Sequence, residues 1–166
     1  MESFFEGCSG LESVPDMNTH NTDDFFSMYC DLKKVKTIRV DVTKMYEASY
    51  MFGNCTSLIE LDFMGSVPVP RTVEKMFGGC ASLKKIPEID TSHIYNMSTM
   101  FTGCSALERI DWELDMSSCT TCTDMFTNCG SLVDGGIKLK NVPKNLDLST
   151  IGCPASKYTI INYQEG

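Results

Sequence analysis

Met76-Phe77-Gly78-Gly79-Cys80-Ala81-Ser82-Leu83 and Met100-Phe101-Thr102-Gly103-Cys104-Ser105-Ala106-Leu107 are one eight-residue phrase written twice, 24 residues apart. Met51-Phe52-Gly53-Asn54-Cys55-Thr56-Ser57-Leu58 precedes them and Met125-Phe126-Thr127-Asn128-Cys129-Gly130-Ser131-Leu132 follows, with a looser copy at Phe4-Phe5-Glu6-Gly7-Cys8-Ser9-Gly10-Leu11. A further unit, Phe25-Phe26-Ser27-Met28-Tyr29-Cys30-Asp31-Leu32, keeps Cys and Leu but spaces its aromatic residues differently. Seven cysteines, Cys8, Cys30, Cys55, Cys80, Cys104, Cys129 and Cys153, stand 22, 25, 25, 24, 25 and 24 residues apart. So regular a period in this range is the signature of stacked repeats, not of a compact cross-linked domain.

Each unit reads as one coil. After the cysteine, Leu-x-x-Ile/Val/Leu recurs as Leu32/Val35, Leu58/Leu61, Leu83/Ile86 and Leu107/Ile110, and alternation continues at Ile38, Val40 and Val42, the pattern of a short strand. Before the cysteine, Thr72-Val73-Glu74-Lys75-Met76-Phe77 and Asn96-Met97-Ser98-Thr99-Met100-Phe101 place apolar residues three and four apart, which predicts one or two helical turns ended by Gly or Asn. Asp90-Thr91-Ser92 and Asp115-Met116-Ser117-Ser118 supply turn and cap residues between the two. A single coil cannot bury its own Met, Phe, Cys and Leu, whereas stacked coils bury them against their equivalents. The expected fold is therefore an α/β repeat: a solenoid with a parallel β-sheet on one face and short helical turns on the other. About six coils over residues 1–166 would make a slab roughly 30 Å long at the ordinary strand spacing. Repeats are clear over 1–133, and 134–166 read as a degenerate last coil and C-terminal cap. Met1 aligns with Met97, inside a coil, so the chain reads as a piece of a longer one.

Composition narrows the function. The chain has 166 residues, 42% hydrophobic, with Lys+Arg 14 against Asp+Glu 22 and a net charge of -8. That suits one domain, and the scattered basic residues make no footprint for a phosphate backbone, so nucleic acid is not an expected partner. No run approaches the roughly 18 apolar residues of a spanning helix, and the opening Met1-Glu2-Ser3-Phe4-Phe5 has neither the basic nor the apolar stretch of a secretory signal.

The phrase Met-Phe-x-Gly-Cys-x-Ser-Leu, with Ile-x-x-Ile-Asp-Thr-Ser and then Met-x-x-Met-Phe after it, resembles the BspA-like bacterial leucine-rich-repeat surface proteins. The resemblance runs from residue 1 to about residue 133 and is strongest over 76–107. It implies a leucine-rich-repeat-like right-handed solenoid without catalysis, at the cell surface or outside the cell, engaged in adhesion or host contact. No catalytic residues carry over from the family, and no sorting signal for a cell wall is visible at the C-terminal end.

Candidate residues fall into a core and a face. Cys8, Cys30, Cys55, Cys80, Cys104 and Cys129, with Phe52, Phe77, Phe101 and Phe126, are expected to form inner columns of like residues. Stacked cysteines are close enough to bridge, but their Cα–Cβ directions run parallel where a disulfide needs them to converge, so reduced core thiols are expected. Cys119-Thr120-Thr121-Cys122 invites a redox or zinc reading. The pair aligns with Ile94 and Met97, which favours core substitution. Neither metal nor cofactor is expected. His20 and His93 sit in polar connections and read as surface turn residues, and the acceptor patterns at Asn54 and Asn96 lie beside residues the fold must bury. Trp112, the sole tryptophan, points inward with Ile110 and Leu114 by alternation, or outward if the extra residue of its coil makes a bulge; inward packing is the expectation. On the strand face, Lys33, Lys34, Lys36, Glu60, Asp62, Lys84, Lys85, Glu108 and Arg109, together with Trp112, make a mixed-charge surface for a protein partner. The leading function is a non-enzymatic interaction or adhesion module of a bacterial surface or secreted protein. The alternative is a spacer or decoration in an assembly such as a virion or surface filament. Enzymatic chemistry is the weakest reading: Asp23-Asp24 and Asp111 with Glu113 lack a phosphate loop, a histidine base or a nucleophile elbow beside them.

Overall fold

The computed structural model describes residues 2–164; Met1, aligned with Met97 above, lies outside them. Five short strands are present: β1 (Thr37–Asp41), β2 (Glu60–Met64), β3 (Glu113–Asp115), β4 (Ile137–Lys140) and β5 (Tyr158–Ile160). All pairings are parallel. β1 pairs with β2, placing Thr37 opposite Glu60 and Arg39 opposite Asp62. β4 lies between β3 and β5, placing Asp115 opposite Lys140. Single parallel bridges such as Glu47 with Thr72 and Asn96 with Thr121 tie successive coils together at the corner where each strand side gives way to the turns.

The other side of each coil differs from its expected helical turns: among the described residues there is no α-helix, only two three-residue 3₁₀ turns near the C-terminal end. A run of β-turns takes the helix's place. In the third coil Met51, Gly53 and Cys55 donate their N–H groups three residues back, to Ala48, Tyr50 and Phe52. The N–H groups between them, of Tyr50, Phe52 and Asn54, donate instead to Glu74, Met76 and Gly78 of the next coil at 2.7–2.9 Å. An α-helix keeps all its hydrogen bonds at i−4 within its own segment. Here every second amide bonds across the stack, so the backbone must alternate, and Tyr50 and Asn54 both take a φ of 59°. The second of these left-handed sites is Asp31, Asn54, Gly79, Gly103 and Asn128 in successive coils, residue types that tolerate that conformation. At Gly79 (φ 80°) a Cβ would also stand 2.7 Å from Asn54 Oδ1.

Inside, like meets like. Phe5, Tyr29, Phe52, Phe77, Phe101 and Phe126 form a ladder of rings whose centroids are 5.3–5.8 Å apart and whose planes lie within 15° of parallel. Beside it runs a thiol column. Cys55, Cys80, Cys104 and Cys129 each donate S–H, at 3.0–3.2 Å, to the carbonyl of the aromatic residue one coil before: Tyr29, Phe52, Phe77 and Phe101.

Two members of the expected cysteine column do not fit it. Cys8 stands at its end among the described residues and is exposed. Cys30 is out of the column: hydrogen-bond register puts Tyr29 opposite Phe52 and therefore Leu32 opposite Cys55. Leu32 fills the thiol's place, and Cys30 takes that of Gly53, its Sγ 3.7 Å from Asp31 Oδ2. The short 22-residue interval before Cys30 was the trace of this shift. At the far end the Phe126 N–H donates to Ile151, which brings Gly152 to the ring's position and ends the ladder. No helix among the described residues is long and apolar enough to cross a membrane.

Candidate functional site

The strand face starts from alternation. Along β1, Ile38 and Val40 are buried while Thr37 and Arg39 are exposed. Lys33, Lys34, Lys36, Glu60, Asp62, Lys84, Lys85, Glu108 and Arg109 are all exposed. Arg39 Nε lies 3.1 Å from Asp62 Oδ2 across the β1–β2 pair, an exposed contact that adds little stability. Lys140 Nζ lies 3.8 Å from Asp115 Oδ2 in the second sheet.

Between the two sheets the ladder breaks. Residues 84–89 should supply the strand between β2 and β3, yet among the described residues they form none, and no backbone hydrogen bond joins them to residues 59–64. Pro87 is the local cause, because it has no N–H for a ladder and pushes the residue before it out of regular pairing. Pro68 and Pro70 end the preceding coil in the same way. Two hollows open along this segment. One, of about 610 Å³, has Ile59, Leu61, Phe63, Ile86 and Pro87 as its apolar lining and Glu60, Asp62, Asp111, Lys84 and Lys85 at its rim. The second, of about 410 Å³, lies where the segment continues, with Val67 and Val69 on one side and Glu88, Asp90, Glu113, Asp115 and Lys140 around it. Leu61 and Phe63, whose counterparts in β1 are buried, are only partly covered here.

Trp112 lines neither hollow but is tied to the segment along which they open. Its ring is half-buried against the core, and Nε1 donates at 3.0 Å to the carbonyl of Ile86, an acceptor that lacks a ladder partner. It is neither the fully buried residue that alternation predicts nor a free outward ring. The structure thus brings Glu60, Asp62, Lys84 and Lys85 together, with Trp112 beside them. Lys34 and Lys36 share a separate recess with Glu12, Thr37 and Ser57. Glu108 and Arg109 border none of these hollows. Sequence reading overlooked the apolar lining, Ile59, Leu61 and Phe63; the signal was Pro87 in a strand position of the neighbouring coil.

The remaining candidates are built into turns. Cys119 and Cys122 are buried free thiols, Cys119 donating to the Thr121 carbonyl at 3.3 Å. Burial pushes Cys119 up to about 11 and Cys122 up to about 12. His20 Nδ1 lies 3.1 Å from Asp41 Oδ2, and His93 Nδ1 lies 2.8 Å from Ser92 Oγ. Asp41 and Asp90 accept from the backbone N–H groups of Thr43 and Ser92, and hydrogen bonds from those residues hold both carboxyls below the usual range. These are turn-closing roles.

Stacked coils with an uneven, charged strand face are the class of arrangement the residues build. The comparisons with known proteins take this one step further: residues 71–151 match the family model described as "Mycoplasma protein of unknown function, DUF285". The matched span is 81 residues, just under half of the chain, and holds the fourth coil onward, with the interrupted strand and Trp112 inside it. No curated protein and no solved structure matches the chain.

Proposed function

We propose that the chain is a non-enzymatic protein-interaction module, a leucine-rich-repeat-like solenoid of the BspA-like kind, carried by a bacterial surface or secreted protein and used in adhesion. The observation that carries this reading is the strand face: its charged residues are exposed while stability resides in the ring and thiol columns behind them, which leaves the face free to vary and to bind. The match of 71–151 to a family described from Mycoplasma supports a bacterial source. Adhesion, surface location and absence of catalysis rest on the resemblance of the repeat phrase. A random peptide library selected on the immobilised chain tests the face. Binders should change in affinity at least about tenfold for a variant with Lys33, Lys34, Lys84 and Lys85 changed to Glu, acidic binders losing and basic binders gaining, the size expected when the charge of the face is reversed. They should bind a variant changed at Arg71 and Glu74, on the turn side, as well as they bind the parent. Binders indifferent to the first variant and sensitive to the second would place the working surface elsewhere.

A further inference from the structure

The break in the strand face has the features of a docking site for a particular kind of chain. In a parallel ladder, alternate residues bond to alternate sides. Glu60 donates to Lys36, and Met64 accepts from Val42, so residues 60, 62 and 64 face β1. The peptide groups of Leu61 and Phe63 therefore point the other way, toward residues 84–89, where among the described residues they find no backbone partner. An unpaired sheet edge is a template for another extended chain.

The lining of the first hollow and the charge at both rims specify that chain. Leu61 and Phe63 are apolar and incompletely covered, and Ile59 beside them is exposed, so one side of an incoming strand should be apolar. Seven carboxylates and three lysines border the two hollows, a net of -4, half the net charge of the whole molecule. The other side should accordingly be basic. We propose that this break binds an extended segment of a partner protein in which apolar residues alternate with Lys or Arg, paired to the free edge of β2 beside Leu61 and Phe63. Five residues of β2 present an edge of about 17 Å at the usual strand rise. Trp112, bonded across the break to Ile86, is the built-in reporter of occupancy.

This rests on the interaction-module reading but is narrower, and its test separates the two. The probes are the peptide acetyl-Lys-Val-Lys-Leu-Lys-Val-Lys-amide, its Glu-for-Lys counterpart, and two forms of the basic peptide N-methylated on one or the other set of alternate amides. Binding is followed by Trp112 fluorescence and by backbone amide shifts. The basic peptide should shift residues 59–63 and 84–89 and weaken at least about tenfold between roughly 50 and 500 mM salt. One methylated form should lose binding at least about tenfold while the other retains it, since a strand pairs through only one set of its amides. Failure of the basic peptide to bind, equal binding of the acidic one, or equal effects of the two methylations would overturn the proposal. If library-selected binders still mapped to Lys33, Lys34 or Arg109, the broader reading would stand without it.

Discussion

Raising the pH attacks the cysteine column through the unfolded chain. Cys55, Cys80 and Cys104 are fully buried and Cys129 nearly so, each with its S–H given to a carbonyl. Burial pushes Cys55 up to about 12 and Cys129 up to about 11, and moves Cys80 and Cys104 in the same direction. In the unfolded chain a thiol ionises near about 8.5. The folded state therefore holds protons that the unfolded state releases. Stability is complete below the unfolded value and is lost as pH climbs toward the folded ones. Each thiol withdraws about 1.4 kcal/mol per pH unit inside that window, so the four together withdraw about 5 kcal/mol per unit above roughly pH 9. A domain with ordinary stability of about 5–15 kcal/mol should unfold by about pH 11. Cys119 and Cys122 add to the slope with the same sign. The assay is urea denaturation under a thiol-free reductant, followed by circular dichroism at stepped pH. Cys104→Ser provides the control, because a serine hydroxyl still offers the Phe77 carbonyl a donor but does not titrate; its slope should fall by about a quarter of the four-thiol value. A free energy of unfolding flat from about pH 8 to about pH 10, or a slope unchanged in C104S, would refute the buried, protonated column.

Truncating the aromatic ladder should be as severe as truncating any well-packed core: Phe101→Ala, between Phe77 and Phe126, is expected to lose about 3–5 kcal/mol by denaturant titration. The register shift in the second coil makes a paired prediction, since Leu32→Ala at the column position should lose about 2–5 kcal/mol whereas Leu11→Ala, exposed, should lose less than about 0.5. Alanine at Lys33, Lys34, Lys84 and Lys85 should change stability by no more than about 0.5 kcal/mol per site, read from the same titrations. Under native conditions a thiol-alkylating reagent followed by peptide mass mapping should label Cys8 first and leave Cys55, Cys80 and Cys104 unmodified until the chain unfolds.

The repeat and its inner residues were legible because burial in a stack forces like residues to recur. The turn side was misread as helical through an imprecise period. In the fifth coil the buried residues are Ile94, Met97 and Met100, then Phe101, Cys104, Leu107 and Ile110, two strict runs of three with a one-residue step at Met-Phe. An α-helix turns about 100° per residue, so four residues at spacing three drift by half a turn and cannot share one face. A strict period of three is not that of an α-helix and matches turns that close three residues on. The same rule applied to the second coil gives Tyr29, Leu32, Val35 and Ile38, which passes over Cys30 and lands on Leu32. Alignment by cysteine identity hid this, because Leu32 and Cys30 are both small enough in polarity to be buried and only the phase tells them apart. The broken strand was harder to read. Pro87 was visible, but whether residues 84–89 would lose one hydrogen bond or the whole pairing depends on how the coils on either side are held.

They are held from the turn side. Phe52 and Phe77 stack at 5.7 Å and Phe77 and Phe101 at 5.6 Å, directly behind the break, only slightly wider than the 5.5 and 5.3 Å of the coils that pair as strands. The amides of Phe77 and Gly79 reach Met100 and Thr102 at 3.0 and 2.7 Å. Register and spacing are thus fixed by rings, thiols and exported amides, and the strand side inherits them. A proline that would disrupt an ordinary sheet removes only the local ladder here, and its neighbours do not close over the gap because the columns fix how near they come. The same division explains the distribution of residues. Substitution in the columns must respect volume and hydrogen bonding, so they stay Phe and Cys through four coils, whereas one strand-face position runs Lys36, Ile59, Lys84 and Glu108 in successive coils. On the interaction-module reading proposed above, a surface that differs from coil to coil above an invariant support gives a partner its own set of contacts, and the open edge of β2 is where backbone groups are left for it to pair.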